Sequence, residues 1–136
     1  MKYLMKLDHI GYAVSDIKKT ASHYVDAGWE LSEEYDEVAQ NARIAFLTKQ
    51  GFPTIELVAP GFGEKDPVSA LLKKSGVSPY HMCYEVDDIL QAMEALYEEG
   101  FVPLFMPVES VAMHGRQICY LTSLDVGTIE IVSKEK

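Results

Sequence analysis

Two stretches of the chain repeat one another and decide its fold: residues 8–17 read DHIGYAVSDI, and residues 80–89 read YHMCYEVDDI. Five positions are identical at a constant offset of 72 residues (81 − 9 = 72), including one histidine in each copy. Two later segments also match, because residues 54–58 read TIELV and residues 128–132 read TIEIV, at an offset of 74 (130 − 56 = 74). Self-similarity in a preserved order indicates one module present in two copies.

Each copy predicts the same succession of secondary structure: a β-strand, an α-helix and three more strands. The first strand alternates in facing along its length, and the amphipathic run that follows it ends at a glycine. The first of the three later strands is expected near residues 29–35 in one copy and near residues 102–108 in the other. The predicted fold class is α+β, a tandem of two βαβββ modules. The candidate helix caps are Ser15 or Asp16 in the first copy and Asp87 or Asp88 in the second.

The whole chain, residues 1–136, is expected to form a single domain. The N-terminal module spans residues 1–60, the C-terminal module spans residues 79–136, and residues 61–78 connect them. Inside this connector, an aspartate followed by proline and a later glycine predict a short helix over about residues 67–75.

Composition narrows the classes of partner. The formal net charge is −9, so the chain repels the phosphates of nucleic acids and anionic membranes, and neither is an expected partner. No apolar run approaches the roughly 18 residues of a membrane-spanning helix, and the first residues do not resemble a signal peptide. Cys83 and Cys119 lie in apolar runs and are expected to be reduced, packed thiols of a cytoplasmic protein.

The histidines and glutamates of the repeat are expected to lie on the open face of each module. Bulky apolar neighbours alternate with His9 and Glu56 along their strands and should pack on the helix, which turns these two side chains the other way. His81 and Glu130 occupy the equivalent places in the second copy. Two modules side by side would bring the four onto one curved sheet. Two imidazoles and two carboxylates suit a divalent metal ion, with one or two positions left for water or substrate.

These motifs resemble those of a known family. Residues 7–14, 55–60, 80–89 and 127–130 are similar to the vicinal-oxygen-chelate superfamily, which includes glyoxalase I, methylmalonyl-CoA epimerase, extradiol dioxygenases and the fosfomycin- and bleomycin-resistance proteins. The resemblance implies paired βαβββ modules that form an open, cupped mixed β-sheet around one divalent metal ion, with nickel, cobalt or zinc expected. It also implies a small-molecule thioester or thiohemiacetal substrate and a homodimer.

The resemblance further implies roles for four residues, because His9, Glu56, His81 and Glu130 match the metal ligands of glyoxalase I. Glu130 is the better candidate for a ligand that loosens and takes a substrate proton, with Glu56 as its catalytic partner. A metal-dependent isomerase or lyase of glyoxalase I type (lactoylglutathione lyase-like), which passes a proton through an enediolate, is the favoured prediction. Ile44 supports it, since this residue stands where some epimerases carry a second glutamate base.

Three alternatives stay open. The LDHIG start of the first strand and the DPVSALL segment of the connector look as much like the epimerase branch, which would racemise a methylmalonyl thioester. A metal-free small-molecule-binding protein of the resistance type is the second alternative. An iron dioxygenase is the third, and the second glutamate at position 56 argues against it.

Three further residues are candidates for substrate binding. Arg43 and Arg116 begin strands that are expected to line the site, and a guanidinium can hold a carboxylate or phosphate through two hydrogen bonds. His114 lies in the loop before one of these strands and could close over a substrate. A surface ion pair is the alternative for each arginine, and a solvated loop is the alternative for the histidine.

Overall fold

The structure is a computed structural model that describes residues 1–63 and 65–135. Glu64, in the predicted connector, and Lys136, at the end of the predicted second module, lie outside the described residues. The described residues form three helices and ten strands, and they divide into two compact units. Among these residues, none of the helices has the length and apolar character needed to cross a membrane.

One compact unit runs from His9 to Tyr80 and holds the first copy of the module. The elements of the first copy and the connector, in chain order, are β1 (Lys6–Ala13), α1 (Ile17–Asp26), β2 (Glu30–Leu31), β3 (Tyr35–Glu37), β4 (Ala42–Thr48), β5 (Thr54–Pro60) and α2 (Ser69–Ser75). The order of its strands is β2-β4-β5-β1, and β3 also pairs with β4. The β1–β5 pair is parallel, which requires a crossover connection, and the other pairs are antiparallel.

The other compact unit joins Met1–Asp8 to the residues from His81 onward. The elements of the second copy are β6 (Ser78–Val86), α3 (Ile89–Glu98), β7 (Val102–Pro103), β8 (Val108–Glu109), β9 (Gln117–Ser123) and β10 (Gly127–Ser133). Their order is β6-β10-β9-β7, and β8 also pairs with β9. Again the first and last strands of the copy are parallel and the other pairs antiparallel. Both copies thus form an open, mixed sheet, and the predicted α+β fold of tandem modules is confirmed.

The first strand after each helix differs from the prediction. The continuous strands predicted near residues 29–35 and 102–108 each appear as two short strands, β2 with β3 and β7 with β8. In the first copy the hydroxyl of Ser32 accepts a hydrogen bond from the backbone N–H of Phe46 at 2.8 Å, so a side chain takes the place of a backbone acceptor. In the second copy Pro103 has no N–H to donate to the sheet. Local polar and proline chemistry therefore interrupts strands that the apolar pattern predicts as continuous.

Each of the helices α1 and α3 packs on one face of its own sheet. The buried core beside α1 consists of Val14, Ile17, Ala21, Ala45, Leu47, Leu57 and Ala59. The buried core beside α3 consists of Val86, Ile89, Ala92, Leu96, Phe101, Cys119, Leu121, Ile129 and Ile131. Since strand residues alternate between faces, this packing leaves the other face of each sheet to the residues in between.

The N-terminal segment packs with the second copy of the module, which the repeat does not predict. Tyr3 and Met5 contact the core beside α3. The hydroxyl of Tyr3 donates to the backbone carbonyl of Asp88 at 3.3 Å, and the backbone N–H of Lys2 donates to the carboxylate of Glu99 at 3.0 Å. Burial of two large apolar side chains, supported by these hydrogen bonds, decides where the segment lies.

The connector helix begins later than predicted, because α2 starts at Ser69 and leaves Pro67 outside the helix. The carboxylate of Asp66 accepts hydrogen bonds from the backbone N–H groups of Val68 at 2.9 Å and Ser69 at 2.7 Å. Asp66 thus accepts hydrogen bonds from N–H groups at the start of the helix, as predicted. The helix itself begins two residues later than predicted, at Ser69.

In both copies the second of the two candidate caps is the one that caps the helix. The carboxylate of Asp16 accepts the backbone N–H of Lys19 at 3.0 Å at the start of α1. The carboxylate of Asp88 accepts the backbone N–H of Gln91 at 3.0 Å at the start of α3. The two helices therefore begin at equivalent positions of the repeat.

We expect the substitution Asp88→Ala to lower the free energy of unfolding by about 1 kcal/mol, because the first turn of α3 loses its side-chain acceptor. Asp87→Ala is the matched control: it removes the same charge from the neighbouring position without removing the cap, and a change within about 0.5 kcal/mol is expected. Urea denaturation followed by circular dichroism measures both. Equal losses of stability in the two variants would contradict the capping role.

Candidate functional site

His9 and Glu56 lie on neighbouring parallel strands in the first copy of the module. Across the β1–β5 pair, Gly11 stands beside Glu56 and leaves space next to the carboxylate because it has no side chain. His9 is 0% exposed and Glu56 is 3% exposed. Nε2 of His9 lies 3.4 Å from Oε1 of Glu56. The first copy therefore buries one imidazole together with one carboxylate.

His81 and Glu130 form the same arrangement in the second copy. β6 and β10 run parallel, with Cys83 beside Glu130. His81 is 4% exposed and Glu130 is 1% exposed. Nε2 of His81 lies 2.9 Å from Oε1 of Glu130. Each copy of the repeated sequence therefore contains one buried histidine–glutamate pair.

Strand alternation turns both pairs away from the helices. Ile55 and Leu57 flank the glutamate of the first copy and pack with the core beside α1. Ile129 and Ile131 flank the glutamate of the second copy and belong to the core beside α3. Because neighbouring residues of a strand point to opposite faces, each carboxylate lies on the face that its helix does not cover.

The donor atoms of the pairs fit a divalent metal ion. Imidazole nitrogen and carboxylate oxygen are ligands of zinc, cobalt and nickel, and here each pair is shielded from water. A buried carboxylate requires a compensating positive charge, which a protonated imidazole or a metal cation can supply. The residues present therefore match the divalent metal ion predicted as a cofactor.

An aromatic ring accompanies each pair, and neither ring is among the predicted site residues. Phe46 faces Glu56 across the β4–β5 pair, and Tyr120 faces Glu130 across the β9–β10 pair. The two aromatic residues share the offset of the two glutamates (120 − 46 = 74). Alignment of the two copies over the strand that precedes each glutamate could therefore have identified these two aromatic residues.

Arg43 lies on the helix side of its sheet. It stands beside Ala59 across the β4–β5 pair, whereas Glu56 takes the opposite face. Its guanidinium contacts the carboxylates of Glu34 at 3.2 Å and Asp36 at 3.3 Å. The structure therefore does not bring this candidate substrate-binding residue to the face that carries the first pair, because alternation places positions 43 and 44 on opposite sides.

Arg116 is 8% exposed and is surrounded by protein acceptors. Its Nε donates to the backbone carbonyl of Ser133 at 2.6 Å. Its Nη2 contacts the carboxylates of Glu85 at 2.9 Å and Asp8 at 3.4 Å. The guanidinium thus links Asp8 of β1 to two strands of the second copy, and these contacts engage its Nε and Nη2 atoms with protein acceptors.

His114, a candidate for substrate binding, is exposed, whereas Ile44, at the position of a second base in some epimerases, is buried. His114 is exposed and has a backbone φ of 58°, in a turn closed by a hydrogen bond of 2.9 Å from the N–H of Gly115 to the carbonyl of Ser110. Ile44 is 1% exposed and stands opposite Val58, on the same face of the sheet as the first pair. Ile44 therefore presents a hydrocarbon side chain to that face.

The two cysteines are packed inside the protein. Cys83 and Cys119 are both buried. The thiol of Cys119 donates to the backbone carbonyl of Phe105 at 3.1 Å. Burial, with a smaller contribution from the charge of Glu130, raises the pKa of Cys119 to about 11. Its thiol therefore stays protonated at neutral pH and behaves as a core residue.

The two arginines generate a paired stability prediction. Arg116→Met should lower the free energy of unfolding by about 3 kcal/mol, because it removes a buried cation from two partly buried carboxylates. Arg43→Met should change it by at most about 1 kcal/mol, since its pairs are more exposed. Chemical denaturation of both variants measures the difference. If Arg43→Met proved as damaging as Arg116→Met, burial would not be what distinguishes the two arginines.

With this geometry established, the chain can be compared with known proteins. A sequence model of the Glyoxalase/Bleomycin resistance protein/Dioxygenase superfamily matches residues 8–120. The chain belongs to this superfamily. The predicted resemblance is therefore confirmed, and the matched range includes most of both copies of the module.

Several similar members of this superfamily are epimerases. Ethylmalonyl-CoA/methylmalonyl-CoA epimerase from Cereibacter sphaeroides is 32% identical over 122 residues, which cover 88% of this chain and 90% of that protein. Mitochondrial methylmalonyl-CoA epimerase from Dictyostelium discoideum is 29% identical over 135 residues, which cover 96% of this chain and 78% of that protein. The crystal structure of methylmalonyl-CoA epimerase from Mycobacterium tuberculosis matches with a TM-score of 0.87 at 25% identity, covering 100% of this chain and 93% of the other.

These relatives correct the predicted activity. A lyase of glyoxalase I type was favoured on the sequence, and this prediction is wrong, because the similar proteins are methylmalonyl-CoA epimerases. The broader prediction that the chain is an enzyme is supported. The physical reason for the error is that both chemistries remove a proton beside a carbonyl group with carboxylate and metal, so the histidine–glutamate motif does not separate them.

Proposed function

We propose that the protein is an epimerase of acyl-CoA thioesters and inverts the α-carbon of a malonyl-type substrate such as methylmalonyl-CoA or ethylmalonyl-CoA. The observation that carries this proposal is that Glu56 and Glu130 are buried at equivalent positions of the two copies, in a chain similar to epimerases of these thioesters over most of its length. The proposed function is thus the epimerase alternative, which the LDHIG and DPVSALL segments of the sequence kept open.

The reaction needs two proton transfers at one carbon. The α-hydrogen of a malonyl-type thioester lies between two carbonyl groups, and its removal leaves an enolate whose charge spreads onto the thioester oxygen. Inversion requires the C–H bond to break on one face of this carbon and a new C–H bond to form on the other. Two carboxylates can share this work, one accepting the proton and the other delivering one.

We assign the proton transfers to Glu130 and Glu56. Glu130 accepts the α-proton and Glu56 serves the opposite face, with the roles exchanged for the other epimer. Ile44 is a hydrocarbon where some epimerases carry a glutamate, so it transfers no proton in this chain. Burial supports the assignment, because bulk water is kept away from the carboxylates and does not compete for the proton of the substrate.

The two pairs would together hold one divalent metal ion, with His9, Glu56, His81 and Glu130 as ligands. When bound, such an ion supplies Lewis acidity that stabilises negative charge on the substrate oxygens. The histidines keep their position through the strand pairs that hold them, and the glutamates combine ligation with proton transfer. The predicted homodimer and cytoplasmic location accompany this proposal as further predictions.

A shared site predicts about one ion per chain, whereas separate sites in the two copies would give about two. Protein loaded with Co²⁺ and dialysed is measured by elemental analysis and by its visible absorption. His9→Ala and His81→Ala should each weaken Co²⁺ binding by about 100-fold or more, because either removes a ligand of the same ion. His23→Ala, at an exposed position of α1, is the control and should bind like the parent protein. Two ions per chain, lost one at a time, would refute the shared site.

Catalysis is tested in D₂O with Co²⁺-loaded protein and a single epimer of methylmalonyl-CoA. We expect deuterium at the α-carbon together with formation of the other epimer, followed by mass spectrometry and chiral analysis. Glu130→Gln should retain the fold and slow both by about 100-fold or more, because the amide cannot accept the proton. Metal-loaded parent protein that neither exchanges the α-hydrogen nor inverts the carbon would rule out the proposed function.

A further inference from the structure

Each histidine of the two pairs lies against an aromatic ring at the equivalent position of its copy. The ring centroid of Phe46 lies 6.0 Å from that of His9, with an edge-on geometry. The ring centroid of Tyr120 lies 5.4 Å from that of His81, with a tilted geometry. The duplication therefore extends from a histidine–glutamate pair to a histidine–glutamate–aromatic set.

A second ring backs the first in both copies, and the hydroxyl group changes place between them. In the first copy Phe46 lies next to the histidine, and Tyr35 stands behind it with ring centroids 6.4 Å apart. In the second copy Tyr120 lies next to the histidine, and Phe105 stands behind it with centroids 5.5 Å apart. The rings next to the histidines occupy equivalent positions of the repeat, and Tyr120 places a phenol ring beside the histidine of the second copy.

The ring of Tyr120 lies beside two of the residues proposed to act on the substrate, His81 and Glu130. Tyr120 faces Glu130 across the β9–β10 pair and contacts His81, so its ring shares their face of the sheet. The residue is 9% exposed. A tyrosine buried to this degree in a polar site brings a hydroxyl that can donate a hydrogen bond, which phenylalanine cannot do.

We infer that the hydroxyl of Tyr120 donates a hydrogen bond to the thioester oxygen of the substrate as the α-proton leaves. The inference rests on the proposed function and adds a catalytic residue to it. The thioester oxygen gains negative charge when the enolate forms, and a donor aimed at developing charge stabilises the transition state more than the substrate. Phe46, at the equivalent position of the first copy, contacts its histidine and has no hydroxyl to donate.

The test compares Tyr120→Phe with the parent protein and with Tyr84→Phe. Tyr120→Phe removes one hydroxyl and leaves the ring, and it reproduces the residue found at the equivalent position of the first copy. We expect kcat/KM for methylmalonyl-CoA to fall by about 10- to 100-fold, mostly through kcat, with KM changed less than about threefold. Tyr84 lies on the α3 side of β6, where its hydroxyl contacts the sulfur of Met82 at 3.8 Å, so its variant should keep the parent rates. Circular dichroism and Co²⁺ content should be unchanged in both variants.

Binding of an enolate mimic separates this inference from the proposed function. The nitronate anion of 2-nitropropionyl-CoA is planar and negatively charged like the enolate, whereas malonyl-CoA resembles the substrate. Titration calorimetry should show Tyr120→Phe weakening nitronate binding by about 10- to 100-fold and malonyl-CoA binding by less than about threefold. If the parent protein binds the nitronate but does not epimerise methylmalonyl-CoA, the proposed function is wrong. The ratio of nitronate affinities between the parent protein and Tyr120→Phe would still decide the role of Tyr120. Equal nitronate affinities, or equal kcat values, in Tyr120→Phe and the parent would overturn the inference, and a parent that binds neither ligand would overturn both.

Discussion

A carboxylate taken out of water must be given a positive or hydrogen-bonding partner, and both copies of this module meet that requirement with a histidine on the neighbouring parallel strand. Glu56 and Glu130 are 3% and 1% exposed, and each has an imidazole nitrogen within 3.4 Å. An uncompensated carboxylate at such a place would destabilise the fold by several kcal/mol. The parallel β1–β5 and β6–β10 pairs are what bring the partners together, so the crossover helices and the cores beneath them serve the same constraint.

Duplication followed by local change explains how a symmetric sequence can yield an unsymmetric site. The histidine and glutamate are retained in both copies, and so is the packing of an aromatic ring on the histidine. The ring beside the histidine is a phenylalanine in the first copy and a tyrosine in the second. Arg116 adds a second difference, because its buried contacts to Asp8 and Glu85 have no counterpart in those of Arg43.

The histidine–glutamate motif does not distinguish a lyase of glyoxalase I type from an epimerase. Glyoxalase-type isomerisation and thioester epimerisation both begin with removal of a proton beside a carbonyl, so the same ligands and the same base serve either. Ile44 was weighed in favour of the first, since a hydrocarbon cannot act as the second base of an epimerase. Two carboxylates in duplicated positions already provide two proton-transfer groups, so the absence of a further one at position 44 does not distinguish the chemistries. What separates the two chemistries is the remainder of the substrate.

The sequence by itself determined the module, its duplication and the face on which each histidine and glutamate lies, because these depend on strand alternation and helix caps that act between near neighbours. Asp16 and Asp88 cap their helices within three residues, and Ile55 and Leu57 turn Glu56 outward within one. Tertiary structure alone decided the contacts between distant segments. It placed Tyr3 and Met5 on the second core, surrounded Arg116 with acceptors from three strands, and set Tyr120 against His81. Such contacts depend on which strands become neighbours and on which side chains fill the space between them, and a local pattern carries neither kind of information.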